Sequence, residues 1–140
     1  MPTNRIYFPN AGTRATIVAM QSLFVIQLHQ TQNGNHFDLM LEQGQSLLTF
    51  QMPLPLCDFQ AGQELSVTRL PDHRKLYLTY EGEISDGRGQ VHIVDRGRYQ
   101  MAEKNANFWV IIFSGQQAQG VFCIRDPSGP YSYIRRLGPN

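Results

Sequence analysis

The sequence predicts an all-β protein, a small closed or nearly closed β-barrel with few short helices. Its apolar segments are short and rich in β-branched and aromatic residues, and Gly, Pro, Asn and Asp separate them. No segment has a convincing helical period, and only residues 13–21 could form a short helical turn. With few helices to cover the edges of so many strands, closure into a barrel is favoured over a sandwich.

The predicted strands follow one another along most of the chain. They cover residues 23–28, 36–42, 46–50, 64–70, 76–81, 90–95, 108–113, 120–125 and 131–135. Two segments between strands are interpreted as turns, Gly87-Arg88-Gly89 and Asp95-Arg96-Gly97. A length of 140 residues fits a single domain, 1–140, with a barrel over 23–136 after an N-terminal extension, 1–20.

Charge is nearly balanced but unevenly distributed. Twelve Lys and Arg against eleven Asp and Glu give a net charge of +1, which disfavours proteins that coat a duplex by neutralising many phosphates. Residues 15–68 contain neither Lys nor Arg. An anionic ligand must therefore meet its cations in the second half of the chain, or at a bound metal ion in the first.

The remaining composition predicts a cytoplasmic protein. Cys57 and Cys123 fit neither a disulfide framework nor a metal clip, so both are interpreted as reduced thiols. No apolar run approaches the ~18 residues of a membrane span, and the N-terminus lacks a secretion signal pattern. We expect no membrane association and a monomer.

The first two strands form the clearest hairpin, because Asn33-Gly34 supplies the positive φ of a tight turn. The second strand alternates, so one of its faces carries His36, Asp38, Met40 and Glu42. His29 lies on the neighbouring strand within reach of His36 and Asp38. Two imidazoles and one carboxylate can bind Mn²⁺, Zn²⁺ or Fe²⁺ and leave positions open for substrate. The alternative is a polar strand face in solvent.

A second group of candidates follows at the start of the 76–81 segment. His73 and Tyr77 can share one side only if a turn or bulge lies between them, and they could then bind a phosphate oxygen or protonate a leaving alkoxide. Arg69, Arg74 and Lys75 flank His73 and are candidate phosphate-binding cations. A solvated turn with a loop histidine is the alternative.

These pieces together resemble the 3′-phosphoesterase domain of bacterial DNA ligase D, also called the DNA polymerase/ligase N-terminal domain. The resemblance rests on His29, His36-x-Asp38, Leu41-Glu42, Asp72-His73 with Tyr77, Tyr80-Glu81-Gly82-x-Ile84 and Asp95-Arg96-Gly97-x-Tyr99, and runs from about residue 23 to 136. An Asp-Leu-Met-Leu-Glu strand and the Gly-Arg-Gly hairpin make it most similar to the short stand-alone members.

The resemblance implies a manganese-dependent phosphoesterase that removes a terminal ribonucleoside and then the 3′-phosphate from DNA ends. It implies His29, His36 and Asp38 as metal ligands, with Mn favoured and Zn or Co as alternatives, and His73 and Tyr77 as contacts to the scissile phosphate. The implied partners are a DNA 3′ end, or another terminal phosphate, and a separate ligase or polymerase. Glu42, on the metal-facing side, is predicted to orient a ligand imidazole.

The sequence departs from the family pattern at two cations. Met40 stands where better-studied members have an arginine, and Leu54 where they have a lysine. These departures favour an alternative function, a noncatalytic metal-containing barrel that binds nucleic-acid ends or a small phosphorylated ligand. A purely structural or partner-binding barrel is the third reading.

Overall fold

Antiparallel pairing closes the sheet into an eight-stranded β-barrel with one extra strand, which confirms the predicted all-β barrel. The computed structural model describes residues 21–139. Its strands are β1 (Ser22–Thr31), β2 (Gly34–Gln43), β3 (Ser46–Met52), β4 (Glu64–Arg74), β5 (Gly82–Glu83), β6 (Gln90–Lys104), β7 (Phe108–Gly115), β8 (Gln119–Arg125) and β9 (Ser132–Gly138). The order is β1-β2-β3-β4-β9-β8-β7-β6-β5, and pairing of β1 with β6 closes the barrel.

The barrel interior is filled by alternate, inward-facing residues along each strand. Phe24 and Phe113 meet edge to face with ring centroids 5.0 Å apart, and Phe113 meets Phe122 at 5.6 Å. Other members of this inner cluster include Ile26, Leu39, Leu41, Phe50, Met52, Val67, Tyr99, Trp109, Ile111, Ile124 and Ile134. Period-two patterning therefore positions the inner cluster, as it does in other small barrels.

The strands β1, β2 and β3 also bury part of their outer face. Val25, Met40 and Leu47 form an outer cluster that is at most 1% exposed, with Val25 and Met40 directly opposite each other in register. Tyr77 and Leu78 pack against it from a 3-10 turn, Lys75–Leu78, and Ile93 packs against it from β6. The 75–78 turn packs over the outer cluster and shields it from solvent.

The strand predicted over 76–81 is wrong, since the chain forms the 75–78 turn there and then the two-residue strand β5. The reason is a tertiary contact. The Gln27 side chain, 1% exposed, donates from Nε2 to the carbonyls of Tyr77 at 3.0 Å and Tyr80 at 2.8 Å. These bonds hold the segment in a turn against the barrel and satisfy carbonyls that a strand would offer to a neighbour.

The turn predicted at 95–97 is also wrong, because β6 continues through it to Lys104. Gly97 permits this, since a Cβ there would lie 2.2 Å from the Ser114 carbonyl oxygen of the paired β7 strand. Asp95 does accept backbone amides, as predicted, but they are those of Gln117 and Ala118 in the β7–β8 loop, both at 2.9 Å.

The predicted extension over 1–20, and with it most of the helical turn predicted over 13–21, lies outside the described residues. Within 21–139, no helix is long and apolar enough to span a membrane.

Candidate metal-binding active site

The β1–β2 hairpin determines how the candidate ligands meet. Its turn is tight, because Thr31 pairs with Gly34, and Gly34 has the positive φ of 124° that its neighbour Asn33 signalled in the sequence. This register sets His29 directly opposite His36, with ring centroids 4.8 Å apart. Adjacent strands thus present both imidazoles to one volume on the outer face.

The Asp38 carboxylate lies between the two imidazoles. His36 Nε2 is 3.3 Å from Asp38 Oδ1, and His29 Nδ1 is 3.7 Å from Asp38 Oδ2. One ligand atom from each of the three residues lies within 4.8 Å of the others, with Asp38 buried and the imidazoles half-buried. The convergence that strand periodicity predicted is therefore present.

The Asp38 carboxylate is incompletely satisfied. The separation of its Oδ1 from His36 is close enough for an ion pair, but the orientation makes no hydrogen bond, and Oδ1 is buried with no partner among residues 21–139. Burial raises the pKa of this carboxyl, and the imidazoles of His36, His29 and His73 act in the opposite direction. A buried carboxylate oxygen without a donor is costly, and a bound cation would satisfy it, so these residues fit a divalent metal.

The tautomer of His29 is set by a backbone carbonyl that sequence reasoning missed. His29 Nε2–H donates to the Arg88 carbonyl at 2.7 Å, which leaves the Nδ1 lone pair facing Asp38. The loop approaches β1 this closely because of Gly89, with φ of 93°, where a Cβ would lie 2.0 Å from the Gln30 carbonyl oxygen. In the sequence, only the Gly87-Arg88-Gly89 motif indicated this loop, and it predicted a turn without predicting the contact with His29.

His73 and Tyr77 line the same pocket as His29 and Asp38, a cavity of about 430 Å³. The 75–78 turn supplies the change of direction that their spacing required, and their ring centroids are 5.8 Å apart. His73 Nδ1–H donates to the Pro71 carbonyl at 2.9 Å, so Nε2 is the nitrogen left for a ligand. The rest of the lining is Gln27, Leu70, Pro71, Asp72, Arg74, Ile84, Arg88 and Val91.

The three cations predicted to bind phosphate are placed differently. Arg74 lines the pocket and is exposed. Arg69 donates to the Pro127 carbonyl at 2.9 Å and stacks over Phe50, 5.4 Å from the ring centroid. Arg69 pairs with the inward-facing Phe50 and is not among the residues that line the pocket.

Lys75 was predicted to bind phosphate and Glu42 to orient a ligand imidazole, but the two side chains form an ion pair with each other. Lys75 Nζ donates to Glu42 Oε2 at 2.9 Å, and the Leu23 amide donates to Oε1 at 3.0 Å. These contacts, the Leu23 bond foremost, lower the pKa of Glu42. Both carboxylate oxygens are thereby engaged, so Glu42 does not fit the predicted role of orienting an imidazole. The Arg88 carbonyl fills that role for His29.

Neither of the two departures from the family pattern lines the pocket. Met40 is 1% exposed in the outer cluster, and Leu54 packs against the inner cluster. The basic residues that line the pocket, Arg74 and Arg88, both come from the second half of the chain, where the charge distribution predicted any cations to lie.

The chain matches a model of a known protein family. A family model described as the DNA Ligase D 3′-phosphoesterase domain matches residues 27–126, most of the chain, including every candidate site residue from His29 to Arg88. The comparison with curated proteins finds no match. Because the family match covers most of the chain, the chain belongs to the DNA ligase D 3′-phosphoesterase domain family, whose members are phosphoesterases of DNA ends.

Proposed function

We propose that this protein is a metal-dependent phosphoesterase that acts on the 3′ ends of DNA or RNA-tipped DNA. It removes a 3′-terminal ribonucleoside and the 3′-phosphate during end repair. Family membership supports phosphoesterase chemistry at DNA ends. The observation that carries the metal dependence is the buried Asp38 Oδ1, which lacks a hydrogen bond among residues 21–139 and lies beside two imidazole nitrogens at the edge of a pocket.

His29 through Nδ1, His36 through Nε2 and Asp38 would hold the ion. Two nitrogens and a carboxylate suit a divalent transition metal better than Ca²⁺, with Mn²⁺ as the proposed ion and Zn²⁺ or Co²⁺ as alternatives. A bound divalent ion would offset negative charge on the phosphate and polarise its P–O bonds.

His73 and Tyr77 line the same pocket and act on the phosphate there. Because the Pro71 carbonyl holds His73 Nδ1–H, His73 Nε2 faces ligand and, when protonated, can donate to a phosphate oxygen or give its proton to the leaving alkoxide. The Tyr77 hydroxyl donates to the same phosphate and orients it. Arg74 adds positive charge at the rim.

A second candidate function is a noncatalytic, metal-containing barrel that binds nucleic-acid ends or a small phosphorylated ligand. The burial of Met40 and the inward packing of Leu54 favour it, because strands β1 to β3 then contribute no cation to the phosphate. Under either function we expect a monomer that works beside a separate ligase or polymerase.

A primer–template with a 3′-terminal ribonucleotide or a 3′-phosphate tests the proposal. We expect wild-type protein with Mn²⁺ to shorten or dephosphorylate the primer, and a chelator to abolish the product. His36→Ala and Asp38→Asn should lose both the product and Mn²⁺ binding. His92→Ala is the matched control, because His92 is exposed on β6 and should leave both unchanged.

The outcomes separate the candidate functions. Intact Mn²⁺ binding without product, at high protein concentration, supports the noncatalytic barrel. Mn²⁺ binding that His36→Ala and Asp38→Asn leave unchanged contradicts the metal site, and with it both candidates.

A further inference from the structure

The loop between β5 and β6 carries a positive charge that the proposed mechanism does not use. Arg88 lines the pocket of His29 and Asp38, while its backbone carbonyl holds His29 at 2.7 Å. Its side chain therefore leaves the main chain beside a candidate metal ligand. Arg74 lines the same pocket from the end of β4, so the two lining arginines come from separate segments.

The Arg88 guanidinium is oriented without being neutralised. Nε donates to the Ser85 carbonyl at 2.9 Å and Nη2 donates to Ser85 Oγ at 3.0 Å. Both acceptors are uncharged, so the full positive charge persists. Nη1 makes no hydrogen bond within the described part of the chain, which leaves donors for an oxyanion in a side chain whose position Ser85 restricts.

Besides a bound metal ion, a phosphate in the pocket would need a basic side chain from the lining. The pocket lining contains two acidic and two basic residues, Asp38, Asp72, Arg74 and Arg88. Asp38 belongs to the metal cluster, and Asp72 lies 3.6 Å from Arg69 and accepts from Ser46. Arg74 and Arg88 therefore remain as the lining cations available to a phosphate oxygen.

We propose that Arg88 is a phosphate-binding residue, and that its two ends act separately: the carbonyl positions His29 and the guanidinium binds a nonbridging oxygen of the terminal phosphate. This inference rests on the proposed function. It makes the β5–β6 loop a wall of the phosphate site and assigns a ligand contact to a residue otherwise interpreted as part of a turn. Since one residue serves metal and phosphate through different atoms, substitution can separate the two.

The test titrates Mn²⁺-loaded protein with inorganic phosphate in a calorimeter and measures Mn²⁺ affinity separately from the signal of free Mn²⁺ in electron paramagnetic resonance. Arg88→Gln keeps the carbonyl and removes the charge, so we expect phosphate affinity to fall about 10- to 100-fold while Mn²⁺ affinity changes less than about twofold. Arg88→Lys should recover part of the loss. Arg135→Gln, exposed on β9 and outside the pocket lining, is the matched control.

Arg88→Gln that binds phosphate as tightly as Arg135→Gln overturns the proposal, provided that both variants unfold at the wild-type temperature. A reduced Mn²⁺ affinity in Arg88→Gln and Arg88→Lys alike also overturns it, since the carbonyl would then not act independently of the side chain. Failure of the proposed function gives a different result, in which wild-type protein binds phosphate equally with and without Mn²⁺.

Discussion

The inner and outer clusters are two apolar regions of one barrel with different roles. The inner cluster joins all eight barrel strands, whereas the outer cluster joins three strands to the 75–78 turn and to Ile93. The inner cluster holds the barrel closed. The outer cluster holds in place the turn that carries Tyr77, and so it shapes the pocket without closing the barrel.

Two methionines make this difference concrete. Met40 and Met52 are each 1% exposed, but Met40 belongs to the outer cluster and Met52 to the inner one. Asp38 lies two residues from Met40 on the same face of β2. The two methionines are equally buried, but Met40 supports the site and Met52 supports the barrel core.

The largest expected effect comes from removing an inner aromatic ring. Phe50 is fully buried and meets Trp109 edge to face at 6.3 Å, so Phe50→Ala should lower the free energy of unfolding by about 3–5 kcal/mol. Thermal or urea unfolding measures the loss, and Phe50→Leu should recover part of it. Mn²⁺ affinity of the fraction still folded should match wild type, and a large change would show that the two regions are not separable.

Met40→Ala is expected to have a smaller effect on stability and a larger one on the site. The outer cluster is small and near the surface, so the cavity can partly collapse, and we expect a loss of about 2–3 kcal/mol. Because Tyr77 packs on this cluster, phosphate affinity should also fall. Calorimetric titration with inorganic phosphate measures it.

Met52→Ala is the matched control for Met40→Ala. It should destabilise the protein by a similar or larger amount and leave phosphate affinity unchanged in the folded protein, because Met52 packs in the inner cluster. Equal phosphate affinity in the two variants would mean that the outer cluster has no special relation to the pocket.

Period-two patterning and one turn signal were enough to predict most of the barrel and the core of the site. The Asn33-Gly34 turn sets the register of β1 and β2, and the alternation in β2 then places His36 and Asp38 on one face opposite His29. Local rules suffice here because the three residues lie on one hairpin. Eight of the nine predicted strands overlap a barrel strand for the same reason.

What the sequence could not predict depends on contacts between distant segments. The Gln27 amide binds the Tyr77 and Tyr80 carbonyls, so the predicted 76–81 strand does not form, and the Arg88 carbonyl reaches His29 across 59 residues. Arg69, which was predicted to bind phosphate, instead donates to the Pro127 carbonyl, 58 residues away. Propensity and spacing contain no information on such pairings, so a polar residue such as Gln27 inside an apolar strand pattern is the only available hint.

The smallest expected effect concerns the ion pair that ties the 75–78 turn to β2. Glutamate has an ordinary pKa of 4.5, and the Leu23 amide and Lys75 lower the pKa of Glu42 in the folded protein. Its contribution is therefore fully present above pH 4.5 and is lost as the pH falls through 4.5 and then through the lower folded value. Since both side chains are partly exposed, we expect less than about 1 kcal/mol.

Hydrogen exchange can locate this small effect. Between pH 6 and pH 4, the wild-type amides of Thr79 and Tyr80, which donate to the Leu76 carbonyl, should lose protection relative to Glu42→Gln, whose turn is already weakened and pH-independent. Glu64→Gln is the matched control: the pKa of Glu64 is lowered by Arg125 on the other side of the barrel. It should alter global stability with pH without changing exchange in the turn. If acid opened the turn and the Ile111 amide of the inner cluster together, the outer cluster would not be the separately opening unit that its small size indicates.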